Sequence, residues 1–304
     1  MTPAERQTAA EQAVAEKDWN QAANLWEQIY QDEQSAANNF QLVRALVADQ
    51  QYVTARNYAS EFEGQYLASD EAASVYLRAL IANHEFISAR IVIVARGKSD
   101  WTQAALTTLS AAENDAEAHL QSTLTTTMRH FYHLSDQPVQ AQVADLQAAR
   151  HLTMQRYLTA AKFLLVDPFL HPLTRSEVLY TLHELQVNTP VQMQWLLDDR
   201  QLTLCPAELT EVGADEISLA TKQRLKIQLA DQDVFLYENL RELLQLQLMY
   251  LYPRPELAIT DPADWVAVLI AQQTGQETTN LSEEQEKMMK IQQKIQQFSL
   301  DLQQ

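Results

Sequence analysis

The feature that most constrains this chain is an internal repeat. Residues 43–56 read Val-Arg-Ala-Leu-Val-Ala-Asp-Gln-Gln-Tyr-Val-Thr-Ala-Arg, and residues 77–90 read Leu-Arg-Ala-Leu-Ile-Ala-Asn-His-Glu-Phe-Ile-Ser-Ala-Arg. The displacement is 34 residues, and six of the fourteen positions are identical. A fainter copy lies 33 residues upstream, from Ala13 through Lys17, Asp18 and Trp19 to Ala22. A period in this range marks one supersecondary unit stacked on copies of itself, because a single unit cannot bury its own apolar face. The units must be helical. None of the nine prolines falls between Pro3 and Pro138, and the chain has four glycines; Pro inside a helix removes a backbone donor and clashes with the preceding turn.

Within each unit an aromatic residue (Trp19, Tyr52, Phe86) precedes a small one (Ala22, Ala55, Ala89) by one helical turn. The small residue lets two helices approach, and the aromatic fills the gap between neighbours. Trp19, Trp26, Tyr52, Phe62 and Phe86 stand at helical spacing and are expected in the core. Gly64 and Gly97 fall where a helix end calls for a left-handed residue. This layout, over about residues 4–98, resembles the tetratricopeptide repeat. The resemblance implies a right-handed helical solenoid and a concave groove for a peptide or partner protein. The sequence departs from the family pattern at its early Trp and Gly positions, occupied here by Arg6 and Ala10, Asn39 and Val43, and Ala73 and Leu77, and the closing Pro is missing.

The expected fold is therefore all-α: repeats over residues 1–115, further helices over 116–275, and a linker with an amphipathic helix over 276–304. Helical patterns run through 104–112, 116–134, 139–165, 175–185, 216–231 and 236–250, and Pro262 opens another helix. The phrase Asp167-Pro168-Phe169-Leu170-His171-Pro172-Leu173 interrupts them. Together with the repeats, it resembles uncharacterised tetratricopeptide-like proteins of low-GC Gram-positive bacteria, a likeness that implies no activity. One segment alternates with period two: Val191, Met193 and Trp195, an Asp-rich turn at Asp198-Asp199, then Leu202 and Leu204. That pattern predicts a β-hairpin over 191–204, with its apolar side against the helices.

Charge narrows the partners. Forty acidic against 22 basic residues give −18, which repels a phosphate backbone and an anionic membrane surface alike. Neither nucleic acid nor membrane is expected. The lone Cys205 offers no internal disulfide, and the N-terminus lacks a charged-then-apolar leader; a cytoplasmic protein is the expectation.

The chemistry-bearing motifs are few. The four glycines lie far apart, so no glycine-rich phosphate loop is present, nor a Gly-x-Ser-x-Gly elbow or a His-Glu-x-x-His pair. Five of seven histidines (His130, His133, His151, His171, His183) fall between residues 124 and 190. His130 and His133 share a helix face, but no Cys or paired Glu completes a metal set; His171 reads as a residue that caps or orders its loop. No catalytic residue, metal or cofactor is expected, and an enzyme site in this His-rich region is the weaker alternative.

The expected function is a binding scaffold. Aligned to the repeat, Glu11, Phe40, Arg44 and Arg78 fall on the helix A face that lines the groove. Arg44 and Arg78 are equivalent positions one repeat apart, and a guanidinium fork matches carboxylate geometry, so an acidic or carboxylate-bearing protein or peptide is the expected partner. The competing reading pairs both arginines with neighbours such as Glu11 or Glu71. Over 281–304, Leu281, Met288, Ile295 and Leu302 recur every seven residues, with Ile291 and Phe298 three after Met288 and Ile295: an a/d stripe spoiled by Glu284. Its flanking Lys287, Gln292 and Lys294 select no partner, so docking on the chain's own body and pairing in a homodimer remain equal alternatives, with fraying of the helix as the third.

Overall fold

In the computed structural model, which describes residues 1–198, 200–275 and 281–301, the protein is mostly helical with one two-stranded antiparallel sheet. The helices are α1 (Pro3–Glu16), α2 (Trp19–Asp32), α3 (Ala36–Ala48), α4 (Tyr52–Ser60), the single turn α5 (Glu63–Tyr66), α6 (Asp70–Ala82), α7 (Phe86–Ala95), α8 (Asp100–His119), α9 (Gln121–Tyr132), α10 (Val139–Ala149), α11 (Met154–Leu164) and α12 (Pro172–Glu184). Strands β1 (Val191–Gln194) and β2 (Gln201–Leu204) follow, then α13 (Glu216–Leu229), α14 (Val234–Leu251), α15 (Pro262–Thr274) and α16 (Glu283–Asp301). The chain divides into two compact units: residues 1–129 with 146–157 form unit 1, and residues 130–145 with 158–304 form unit 2. The boundary expected at 115/116 falls inside α8.

Unit 1 is built from helix pairs whose ends repeat as faithfully as their cores. The first helix of each pair starts with a hydroxyl cap: Thr2 accepts from Glu5 N–H at 3.2 Å, Ser35 from Asn38 at 3.3 Å and Ser69 from Ala72 at 3.1 Å. Each such cap contributes about 1 kcal/mol by satisfying an orphan donor. The turn inside each pair repeats too. Lys17, Gln50 and His84 all adopt φ near +60° (62°, 63° and 59°). In each turn the next residue's N–H returns to the carbonyl five back: Asp18 to Ala13, Gln51 to Leu46 and Glu85 to Leu80, all at 2.9 Å. This is a Schellman closure made without glycine. Gly97 has φ +71°, whereas Gly64 lies inside α5 and is not left-handed, against expectation.

The alanine series behaves as the spacing predicts: Ala22, Ala55 and Ala89 are each 0% exposed. The aromatic series does not. Phe86 is 0% exposed and Trp26 is buried, but Trp19, Tyr52 and Phe62 are half-buried. The positions that depart from the repeat pattern are filled by other means. Ala10, Val43 and Ala73 are fully buried, and Arg6 pairs with Asp32. Asn39, also fully buried, donates to the Tyr58 carbonyl at 2.9 Å and accepts the Tyr66 hydroxyl at 2.7 Å. A buried amide is tolerated only when both ends are bonded, and here they are. A hydrogen bond to Glu27, with burial, pushes the Tyr58 hydroxyl up to about 12.

In unit 2 the hairpin forms as read, with Val191 opposite Leu204 and Gln194 opposite Gln201. Val191, Met193 and Trp195 are buried; Asp199 lies outside the described residues. The core gathers Leu225, Leu240, Leu244 and Leu248 with Trp265, Leu269, Met288 and Ile295. The helical pattern read as continuous over 139–165 is broken between α10 and α11, where residues 150–153 are not helical.

Candidate functional site

Unit 1 holds a groove of about 560 Å³ between the start of α4, α6 and α8. Its two walls have the same spacing. Ser74, Leu77, Arg78 and Ile81 project from α6, and Trp101, Ala104, Ala105 and Thr108 from α8; both sets follow i, i+3, i+4, i+7, one face of a helix. The alanines of α8 leave the space, and Leu77, Ile81 and Tyr52 line it. Trp101 closes one end: its indole Nε1–H donates to Ser74 Oγ at 2.8 Å, and the Arg96 guanidinium lies 5.6 Å from its ring.

Arg78 is one of four arginines of unit 1, with Arg44, Arg129 and Arg150, that make no ion pair among the described residues, and of these it is the one that lines the groove. Five other arginines of unit 1 pair with carboxylates: Arg6 with Asp32, Arg56 with Glu85, Arg90 with Glu113, Arg96 with Asp70 and Arg156 with Glu117. Among the described residues Arg78 makes no ion pair and is exposed. Arg44 likewise has no carboxylate partner; its guanidinium lies 6.0 Å from the Phe40 ring on the same face of α3, a cation–π contact. The alternative pairing of either arginine with Glu11 or Glu71 is not seen. Glu11 is exposed and accepts from Gln7 at 3.1 Å.

Of the four residues read onto the groove face, the structure brings Arg78 into this groove. Phe40 and Arg44 stand together one helix pair earlier, and Glu11 belongs to α1. Trp101, Ser74 and Tyr52 were not read as groove residues. Trp101 was the last residue before the period fades, and that position was its only signal.

The stripe on α16 is occupied within unit 2. Met288 and Ile295 are each 1% exposed, and Ile291 and Phe298 pack beside them against α14 and α15. Two flanking residues read as selecting nothing hold the helix in place. Gln292 donates to the Trp265 carbonyl at 3.0 Å and accepts from Gln272 at 2.9 Å, while Lys294 donates to the Leu196 carbonyl at 3.0 Å. Residues 276–280 and Leu302 lie outside the described residues.

The histidines do not converge. His130 faces Asp145 at 3.6 Å, and His133 faces Asp136 at 3.0 Å. His171 occupies the N-cap position of α12 without a side-chain cap bond; its Nε2–H points instead to the Phe298 carbonyl at 3.2 Å. No helix among the described residues is long and apolar enough to cross a membrane. No family model matches this chain, and no curated protein and no solved structure is detectably similar to it.

Proposed function

We propose that the chain is a non-catalytic, cytoplasmic scaffold of tetratricopeptide type, and that the groove of unit 1 receives an extended peptide or protein segment bearing a carboxylate. On this reading the helix pairs wind as a right-handed solenoid and their first helices line its concave side. The repeated hydroxyl caps and Schellman turns at spacings of 33 and 34 support the solenoid. The observation that carries the ligand class is Arg78: an exposed guanidinium without a carboxylate, on an apolar wall, in a chain of net charge −18. The apolar walls would take side chains of the segment, and the guanidinium would take its acid. Nucleic acid is repelled by the same net charge, and no cofactor or metal enters this reading. Self-association through α16 receives less support, because the apolar stripe it would use is already covered.

The test is a peptide-array selection on the full chain and on Arg44→Glu, Arg78→Glu and the double variant. Peptides with an Asp or Glu beside apolar residues should be selected by the wild type and lost by Arg78→Glu and the double variant, with a smaller effect from Arg44→Glu alone. Exposed-charge changes of this kind move stability by only about 0.5 kcal/mol, so the melting curves should nearly coincide. Selection of the same peptides by Arg78→Glu would overturn the reading; a large loss of stability would mean that the arginines hold the fold instead.

A further inference from the structure

Unit 2 contains a cavity of about 720 Å³, within the range of sites for small organic ligands. Its walls come from well-separated segments: residues 135–142, the loop 168–172, the end of the hairpin at 194–198, and Lys294 and Phe298 of α16. Arg175 of α12 sets the loop. Its Nη2 donates to the Asp167 and Leu170 carbonyls at 2.6 and 2.9 Å, and its Nη1 reaches the Gln194 carbonyl at 3.3 Å. It is only 3% exposed. Burial pulls its guanidinium down to about 10, against the pull of Asp167, so it stays charged at neutral pH.

The hydrogen bonds of both cations on this wall go to backbone carbonyls, although the Asp167 and Asp198 carboxylates act on them at longer range. Arg175 is bonded to three carbonyl oxygens, and Lys294 Nζ to those of Leu196 and Leu197 at 3.0 and 3.4 Å. Of the nearby acids, Asp167 accepts the Phe169 N–H at 3.0 Å, and Asp198 is paired with Arg200 at 2.8 Å. Two cations thus stand in a recessed, partly apolar wall of a strongly acidic protein. Low-dielectric walls strengthen and focus such a field on an anion. The lining also carries polar side chains, among them Gln137, Gln142 and Asp198, and three flat apolar rings: Trp195, Phe298 and Phe169, the last 83% exposed at the edge of the cavity. Prolines 168 and 172 flank that ring in sequence, and so large an apolar side chain in solvent is the unusual feature of the loop.

We propose that this cavity is a second binding site, separate from the groove of unit 1, for a small organic anion with a planar apolar body. The acid group faces Lys294 and the positive wall behind it, and the ring lies against Phe169 and Phe298.

Two dyes that differ by one charged group test this on the full chain: 8-anilinonaphthalene-1-sulfonate and its uncharged counterpart N-phenyl-1-naphthylamine. The sulfonate should bind one to one and about tenfold more tightly than the neutral dye, the scale of a charge-assisted contact. Lys294→Gln should erase that preference, Lys294→Arg should restore it, and Phe169→Ala should weaken both dyes. Equal affinity for the two dyes, or a preference that survives Lys294→Gln, overturns the proposal. If Lys294→Gln fails to fold because two carbonyls lose their donor, Phe169→Ala decides: its exposed ring supports no packing, so unchanged dye affinity overturns the site and a loss supports it.

Discussion

Truncation before residue 281 is expected to strip roughly 6 kcal/mol or more from unit 2 while leaving the oligomeric state in solution unchanged. The estimate follows from burial. Met288 and Ile295 are each 1% exposed, and fully burying such a side chain contributes about 1.5–3 kcal/mol. Ile291 and Phe298 add partial burial. A sum of this size is comparable with the whole stability of an ordinary domain, about 5–15 kcal/mol. The truncated unit should therefore melt at or near room temperature. Met288→Ala gives a milder version, about 2–5 kcal/mol by the usual cost of emptying a core site. Light scattering beside a denaturant melt separates the alternatives. A dimer that becomes a stable monomer on truncation would contradict the packing described here.

Phe86→Ala should cost about 3–5 kcal/mol, in line with other aromatic deletions in cores, whereas Tyr52→Ala should cost less, about 1–2 kcal/mol, since Tyr52 is only partly buried. The asymmetry has a structural cause. The third turn is covered: Ile87 N–H donates to the Arg150 carbonyl at 3.0 Å, and the His151 ring contacts the Asn83 carbonyl at 3.1 Å. The Tyr52 turn meets the Asn83 side chain, whose amide donates to the Tyr52 carbonyl at 3.0 Å. Urea melts of the two variants check this, and equal losses would mean that the three aromatics share one environment after all.

That pair of residues shows where the sequence was readable. Periodicity identifies equivalent positions in the chain, and the alanines Ala22, Ala55 and Ala89, small enough to sit where helices touch, are buried. Burial of the aromatics depends on what covers each pair, and the cover over Phe86 comes from residues more than sixty positions away. The hairpin was legible because alternation with period two is local. The break at 150–153 was not, since it contains no Pro or Gly. There Thr153 donates to Glu117 at 2.7 Å and the Met154 N–H to Glu113 at 2.8 Å, contacts made across unit 1. The left-handed turns went to Lys17, Gln50 and His84 because the connections of two or three residues between packed helices require that conformation there; a single left-handed residue costs about 1–2 kcal/mol. Of the groove, Arg78 was legible from its 34-residue spacing to Arg44. The α8 wall was not, because the repeat had faded by Trp101. The cavity of unit 2 was invisible in the sequence, since no two of its walls are neighbours in the chain apart from the ends of single elements.

The central claim, that Arg78 reads a carboxylate in the groove of unit 1, is tested most directly by a charge exchange. Peptides selected on the wild-type chain, and the same peptides with each Asp or Glu changed to Lys, are titrated against wild type and Arg78→Glu by fluorescence anisotropy. The account predicts that wild type prefers the acidic form by about tenfold or more, one charge-assisted contact, and that Arg78→Glu reverses the preference in favour of the Lys form. Affinities that follow the peptide's charge but ignore residue 78 would contradict it.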